Sequence, residues 1–141
     1  MQIMIFGKDK DTIKWVNNQV TASERSKIGV HILTMTEMET LLKSMCFDVV
    51  LYDVSQPEDD APETVKELLN ICGKIPLIIL TETLTLPVAV EAVRLGADTY
   101  LVKDKAPKGL LSDCLSIVIA KKREQLESAA IKGYAKRRTR K

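Results

Sequence analysis

Residues 47–57 read FDVVLYDVSQP, and the stretch changes character midway. Val49, Val50, Leu51 and Tyr52 form an unbroken apolar run of β-favouring residues, and Asp53 closes it. A run this short and this continuous suits a strand covered on both faces, because its alternate side chains enter two different cores. Ser55, Gln56 and Pro57 then break the pattern. A carboxylate therefore stands where a buried strand emerges from the protein.

Two later stretches repeat the design. PLIILT (residues 76–81) ends in Thr81, and TYLVK (residues 99–103) ends in Lys103. With Gln2–Phe6 and Lys27–Leu33 they make five strand candidates, the third being Asp48–Asp53. Helical patterns lie between them. Ile13, Val16 and Val20 share one face of the first, and Met38, Leu41, Leu42 and Met45 one face of the second. Pro62 opens the third, Pro62–Cys72, and Gly73 stops it. Pro87 opens the fourth, with Val88, Val90, Ala92 and Val93 apolar, and Gly96 ends it. Pro107 opens the fifth, with Leu110, Leu111, Cys114, Ile117 and Val118 expected against the sheet. Strict alternation of strand and helix predicts parallel strands joined by crossover helices, a five-stranded doubly wound α/β sheet with five helices.

Open parallel sheets bind ligands outside the carboxyl ends of their strands. Asp53, Thr81, Lys103 and the Gly7-Lys8-Asp9 segment after the first strand are all expected at that rim. A carboxylate, a hydroxyl and an ammonium gathered there suit acyl-phosphate chemistry. The carboxylate is the nucleophile, and the other two offset charge on the phosphoryl oxygens.

FDVVLYDVSQP, IILTE and GADTYLVKD, in this order, resemble the receiver family of two-component signalling, over about residues 2–120. The resemblance implies a CheY-like, flavodoxin-like fold with strand order 2-1-3-4-5. It implies Asp53 as phosphoacceptor, Thr81 as switch hydroxyl, Tyr100 as switch aromatic and Lys103 as phosphate-sensing lysine. It further implies Mg2+ at Asp9, Asp53 and the Ser55 backbone carbonyl. The partner implied is a sensor histidine kinase, and homodimerisation would use the face formed by the fourth helix, fifth strand and fifth helix.

The pattern departs from the family at three places. The family's two adjacent acids after the first strand fall on Gly7 and Lys8 if that strand ends at Phe6, or on Lys8 and Asp9 if it runs one residue further. Helix spacing favours the second register, because Ile13 and Val16 then enter the core at the usual offsets. Either register weakens the metal site, and Asp9 has a second reading as a helix N-cap. Glu82 follows the switch threonine, where the family carries a small residue. Asp104 follows Lys103, a pairing seen in receivers attached to helix-turn-helix output domains. The leading reading is a phosphorylated signalling receiver, not an enzyme. The alternative is a phosphorylation-independent pseudo-receiver acting as a protein-interaction module. A flavodoxin-like enzyme or nucleotide binder would need a phosphate loop richer in Gly, Ser or Thr than GKDKDT.

Composition agrees with a soluble domain. The chain has 141 residues, 45% hydrophobic and 28% charged, and no apolar run approaches a membrane span. Its start, MQIMIFGKDK, does not read as a secretory signal. Cys46, Cys72 and Cys114 are odd in number and lack metal-ligand spacing, which points to a reducing, cytoplasmic setting. His31, the sole histidine, reads as structural. The net charge of +2 divides into an acidic body, residues 1–120 at −5, and a basic end, residues 121–141 at +7. The end is expected to be a helical extension fraying into a basic tail, KRRTRK, that serves as a solvated linker or, less directly, a nucleic-acid contact. So basic an end also fits a piece cut from a longer regulator.

Overall fold

The computed structural model describes residues 2–7, 10–19, 28–32, 34–55 and 61–139. The strands are β1 (Ile3–Phe6), β2 (Ile28–Ile32), β3 (Val49–Asp53), β4 (Leu77–Thr81) and β5 (Thr99–Val102). The helices are α1 (Lys10–Gln19), α2 (Met35–Ser44), α3 (Ala61–Cys72), α4 (Leu86–Leu95) and α5 (Leu110–Thr139), with a 3-10 turn at Thr83–Thr85. All strand pairs are parallel, and the described strands form one sheet in the order β2-β1-β3-β4-β5.

Alternation along the strands sorts the core into two layers. Met4, Phe6, Val50, Tyr52, Leu77 and Ile79 face Met38 of α2, Val65 and Leu68 of α3, and Ala89 and Ala92 of α4. Ile3, Ile5, Val49, Leu51, Ile78, Leu80 and Leu101 face Val16 of α1 and Leu111, Leu115 and Ile119 of α5. The apolar runs of β3 and β4 are thus buried on both sides, whereas that of β5, expected to be covered likewise, lies at the sheet edge with only Leu101 buried.

At the amino ends of the strands, two aspartates tie neighbouring strands together. The Asp48 amide donates to the Gln2 carbonyl at 2.9 Å, and its carboxylate accepts the Gln2 amide at 2.8 Å. Asp98 makes the same reciprocal pair with Leu77. Lys122 and Arg123 of α5 then reach Asp98 and Asp48 at 3.5 and 3.9 Å.

Several expectations need correction. The fifth helix starts at Leu110, not Pro107, because residues 103–109 turn back from β5 and Gly109 takes φ 90°. Leu111, Leu115 and Ile119 are its buried stripe, while Ile117 is 66% exposed. Alanines dominate the inner face of α4, with Ala89 and Ala92 buried and Val88, Val90 and Val93 only partly covered. A close approach explains this: a Cβ on Gly96, the α4 cap, would lie 3.1 Å from Leu69 of α3. The α5 backbone is helical through Thr139. The side chains from Ala129 onward, like Lys8, Asp9, Val20, Pro57 and the side chain of His31, lie outside the described residues. Among the described residues no helix is long and apolar enough to cross a membrane.

The cysteines differ in setting, Cys46 being exposed, Cys114 partly covered and Cys72 part of the core. All three are free, and Cys72 is buried. Burial pushes its thiol up to about 12, with the nearby Asp98 charge adding to the rise, so it stays protonated at neutral pH.

Candidate phosphoacceptor site

β3 ends in Asp53, whose side chain follows Leu51 and Val49 onto the α1/α5 side of the sheet. Four donors meet its two oxygens there. Oδ1 accepts the Ser55 amide at 2.8 Å and the Ser55 hydroxyl at 2.5 Å. Oδ2 accepts the Thr12 hydroxyl and the Lys103 ammonium, each at 2.5 Å. The Asp53 and Lys103 side chains keep only 3% and 9% of their surface exposed, so the ion pair is largely shielded from water. Burial alone would raise the Asp53 pKa. The hydrogen bonds from Lys103, Ser55 and Thr12 outweigh it and hold the carboxyl below its ordinary value.

Lys103 lies one residue beyond β5, with its amide donating to the Thr81 carbonyl at 2.7 Å. That bond extends the β4–β5 pairing into the turn and aims the ammonium across the top of β4 at β3.

Thr81 does not join them. In parallel strands, register partners face the same way, and Asp53 pairs with Leu80. Thr81 therefore points to the opposite side of the sheet, toward α4. It is fully buried, sharing a 2.7 Å hydrogen bond with Thr85 and donating to the Glu82 carbonyl at 3.0 Å. Tyr100 pairs with Ile79 and so belongs to the Thr81 side of the sheet, where it is 37% exposed on edge strand β5. The expected single rim is thus two groups, Asp53 with Lys103 on one face and Thr81 with Tyr100 on the other. A one-residue offset between strands produces the division.

Thr12 is the site residue that sequence reasoning missed. It is 1% exposed, on the α1 turn facing Asp53, with Val16 and Gln19 buried one and two turns later. Its spacing to Val16 was a visible signal, masked by the stronger apolar pattern of Ile13, Val16 and Val20. Thr12→Val removes a charge-assisted bond without changing side-chain volume. The Asp53 carboxyl is expected to titrate at higher pH than in the wild type, with a stability loss of about 1–3 kcal/mol. Carbon-13 NMR titration of Asp53 and urea unfolding measure the two effects.

β1 ends at Phe6, opposite Tyr52, which selects the first of the two registers and puts Gly7 beside Asp53. A Cβ on Gly7 would lie 3.8 Å from that of Asp53. The family's acidic position is thus occupied by a residue with no side chain. Asp9, the other acid considered, lies outside the described residues. Magnesium takes six oxygen ligands in near-octahedral array. Among the described residues no group of three acids, histidines or cysteines could hold a metal ion. Ser55, expected to offer its carbonyl to a metal, donates its amide and hydroxyl to Asp53. With both Asp53 oxygens already doubly bonded to donors, the described residues do not fit a magnesium ion.

Glu82 is exposed, and its amide donates to the Thr85 hydroxyl at 3.2 Å. Asp104 accepts two hydrogen bonds from Thr83, and these hold its carboxyl below the ordinary range.

The family model for the response regulator receiver domain matches residues 3–114. The chain belongs to the response-regulator receiver family. Receiver domains are signalling modules of two-component systems, and this chain keeps the family's strand-end aspartate and lysine in contact. Over 62 residues, 44% of the chain, it is 39% identical to the transcriptional regulatory protein ZraR of Klebsiella oxytoca, and the match covers 14% of that protein. The chain thus corresponds to a small part of the curated relatives it resembles. Among solved structures, full-length FixJ from B. japonicum superposes with a TM-score of 0.72 at 23% identity, covering 92% of this chain and 63% of that one. A signal receiver domain from Bacteroides fragilis superposes with a TM-score of 0.70 at 19% identity, covering 84% and 95%. These likenesses show the fold.

Proposed function

We propose that this receiver accepts a phosphoryl group from a sensor histidine kinase onto Asp53. The observation that carries the reading is the contact between Asp53, at the carboxyl end of β3, and Lys103. An Asp53 oxygen attacks the phosphorus of a phosphohistidine, the P–N bond breaks, and its electron pair stays on the imidazole nitrogen. The product is an acyl phosphate carrying close to two negative charges. Lys103 then exchanges its carboxylate partner for a phosphoryl oxygen, and Ser55 and Thr12 orient the attacking group. The switch follows on the other face of the sheet. Thr81 leaves Thr85 for the phosphoryl group, and Tyr100 moves inward from the edge of β5. The α4-β5-α5 surface shifts between two populations, and a second copy or an output partner reads the shift.

The second reading is a pseudo-receiver that signals without phosphate. Gly7 in the acidic position and the four donors on Asp53 favour it, because a carboxylate already saturated with hydrogen bonds is a weaker nucleophile. A linker role for the basic end of α5, and a cytoplasmic setting, belong equally to both readings. Incubation with acetyl phosphate, with and without magnesium, separates them. The first reading expects the wild type to gain one phosphoryl group in intact mass and Asp53→Asn to gain none. Unchanged wild-type mass in both conditions establishes the second.

A further inference from the structure

The turn after β5 carries two adjacent charges that act on different elements. Lys103 reaches Asp53 on β3, and Asp104 reaches back to the turn between β4 and α4. The Thr83 amide donates to Asp104 Oδ1 at 3.1 Å, and the Thr83 hydroxyl donates to Oδ2 at 2.8 Å. A carboxylate fork thus matches two donors of a single residue. The same turn holds Thr81, whose hydroxyl is engaged by Thr85 and by the Glu82 carbonyl, and Thr85 in turn accepts the Glu82 amide. A backbone bond from Lys103 to the Thr81 carbonyl closes the circuit.

We infer that Asp104 is a positioning residue, holding Thr83 at two points so that the turn keeps the Thr81 hydroxyl on Thr85 and away from Asp53. The inference rests on the reading of Thr81 as the switch hydroxyl and names what restrains it. Adjacency supplies the coupling. When Lys103 shifts toward an anion on Asp53, Asp104 shifts with it, Thr83 is released, and the turn becomes free to deliver Thr81. An aspartate is suited to this because it accepts both bonds while lying on the exposed side of the turn, where it contributes little to the core.

The test compares wild type, Asp104→Ala and Asp104→Asn in the full chain. In Asp104→Ala, hydrogen exchange at the Thr83 amide is expected to rise about tenfold or more. The Thr81 methyl resonance shifts, while the urea midpoint stays near that of the wild type. Asp104→Asn keeps an acceptor for the amide and a polar group for the hydroxyl, and restores most of the protection. Unchanged Thr83 exchange and an unmoved Thr81 methyl in Asp104→Ala overturn the inference. Acetyl phosphate labelling separates it from the parent reading. If the turn is released but neither protein takes up phosphate, the tie stands and the phosphoacceptor assignment falls. If both are labelled, Asp104→Ala is expected to be labelled faster.

Discussion

Lys103→Met is expected to destabilise the protein by about 3 kcal/mol at neutral pH, the lower end of the range for removing one partner of a shielded ion pair. Methionine keeps the length and the apolar stem but withdraws the ammonium from Asp53. The carboxylate is left at 3% side-chain exposure with only the Ser55 and Thr12 donors. Those three remaining bonds are why the loss falls at the lower end. The pH dependence gives the effect its signature. In the wild type the Asp53 pKa is lowered on folding. It contributes stability that is present above the unfolded pKa and lost as pH falls through the folded one. In Lys103→Met, burial acts with less opposition and the Asp53 pKa rises. The stability gap between the two proteins is therefore widest at neutral pH and narrows as acid protonates Asp53, first in the variant and then in the wild type. Urea unfolding at a series of pH values measures it. A gap that is the same at neutral and acid pH would show that lost packing of the lysine stem, and not the charge, is responsible.

Leu51→Ala is expected to cost about 2–5 kcal/mol, with a matching fall in the urea midpoint and little change in slope. Leu51 is fully buried at the centre of β3, between Ile5 of β1 and Ile78 of β4, in the layer covered by α1 and α5. Strands on both sides limit how far the site can collapse around a smaller side chain. Asp53 is two residues along on the same face, so slack at Leu51 also loosens the approach of α1. Thr12 is carried by that helix. The Thr12–Asp53 bond should weaken, and the Asp53 carboxyl should titrate at higher pH in Leu51→Ala than in the wild type. Its NMR titration checks this alongside the unfolding curve.

The runs of β3 and β4 were legible because burial on both faces demands continuous apolar residues, and that of edge strand β5 because its β-favouring residues follow a helix stop at Gly96. Asp53, Thr81 and Lys103 stood out for the same reason, as polar residues interrupting apolar runs. Helix ends were less legible. Pro107 has the right chemistry for a helix start, yet the chain needs residues 103–109 to leave β5 and reverse, and Gly109 does the reversing. The faces of α4 and α5 were read from hydrophobicity alone. Packing against α3 and the sheet buried the expected Ala92 and added Ala89, leaving the valines only partly covered, and it chose Leu115 and Ile119 over Ile117.

The linear order of residues by itself determined the alternating architecture, the family and the identity of the strand-end groups, because these depend on local pattern and on which residue follows a run. Only the tertiary structure decided which of those groups meet. Strand side chains alternate with a period of two, so the relative register of β3, β4 and β5 sends Asp53 and Lys103 to one face and Thr81 to the other. Register also placed Gly7 beside Asp53 and brought Thr12 from α1 and Asp104 from the far turn into the network. Such contacts join residues far apart in the chain, and hydrogen-bond reach of a few ångströms is set by packing between elements, which no local pattern encodes.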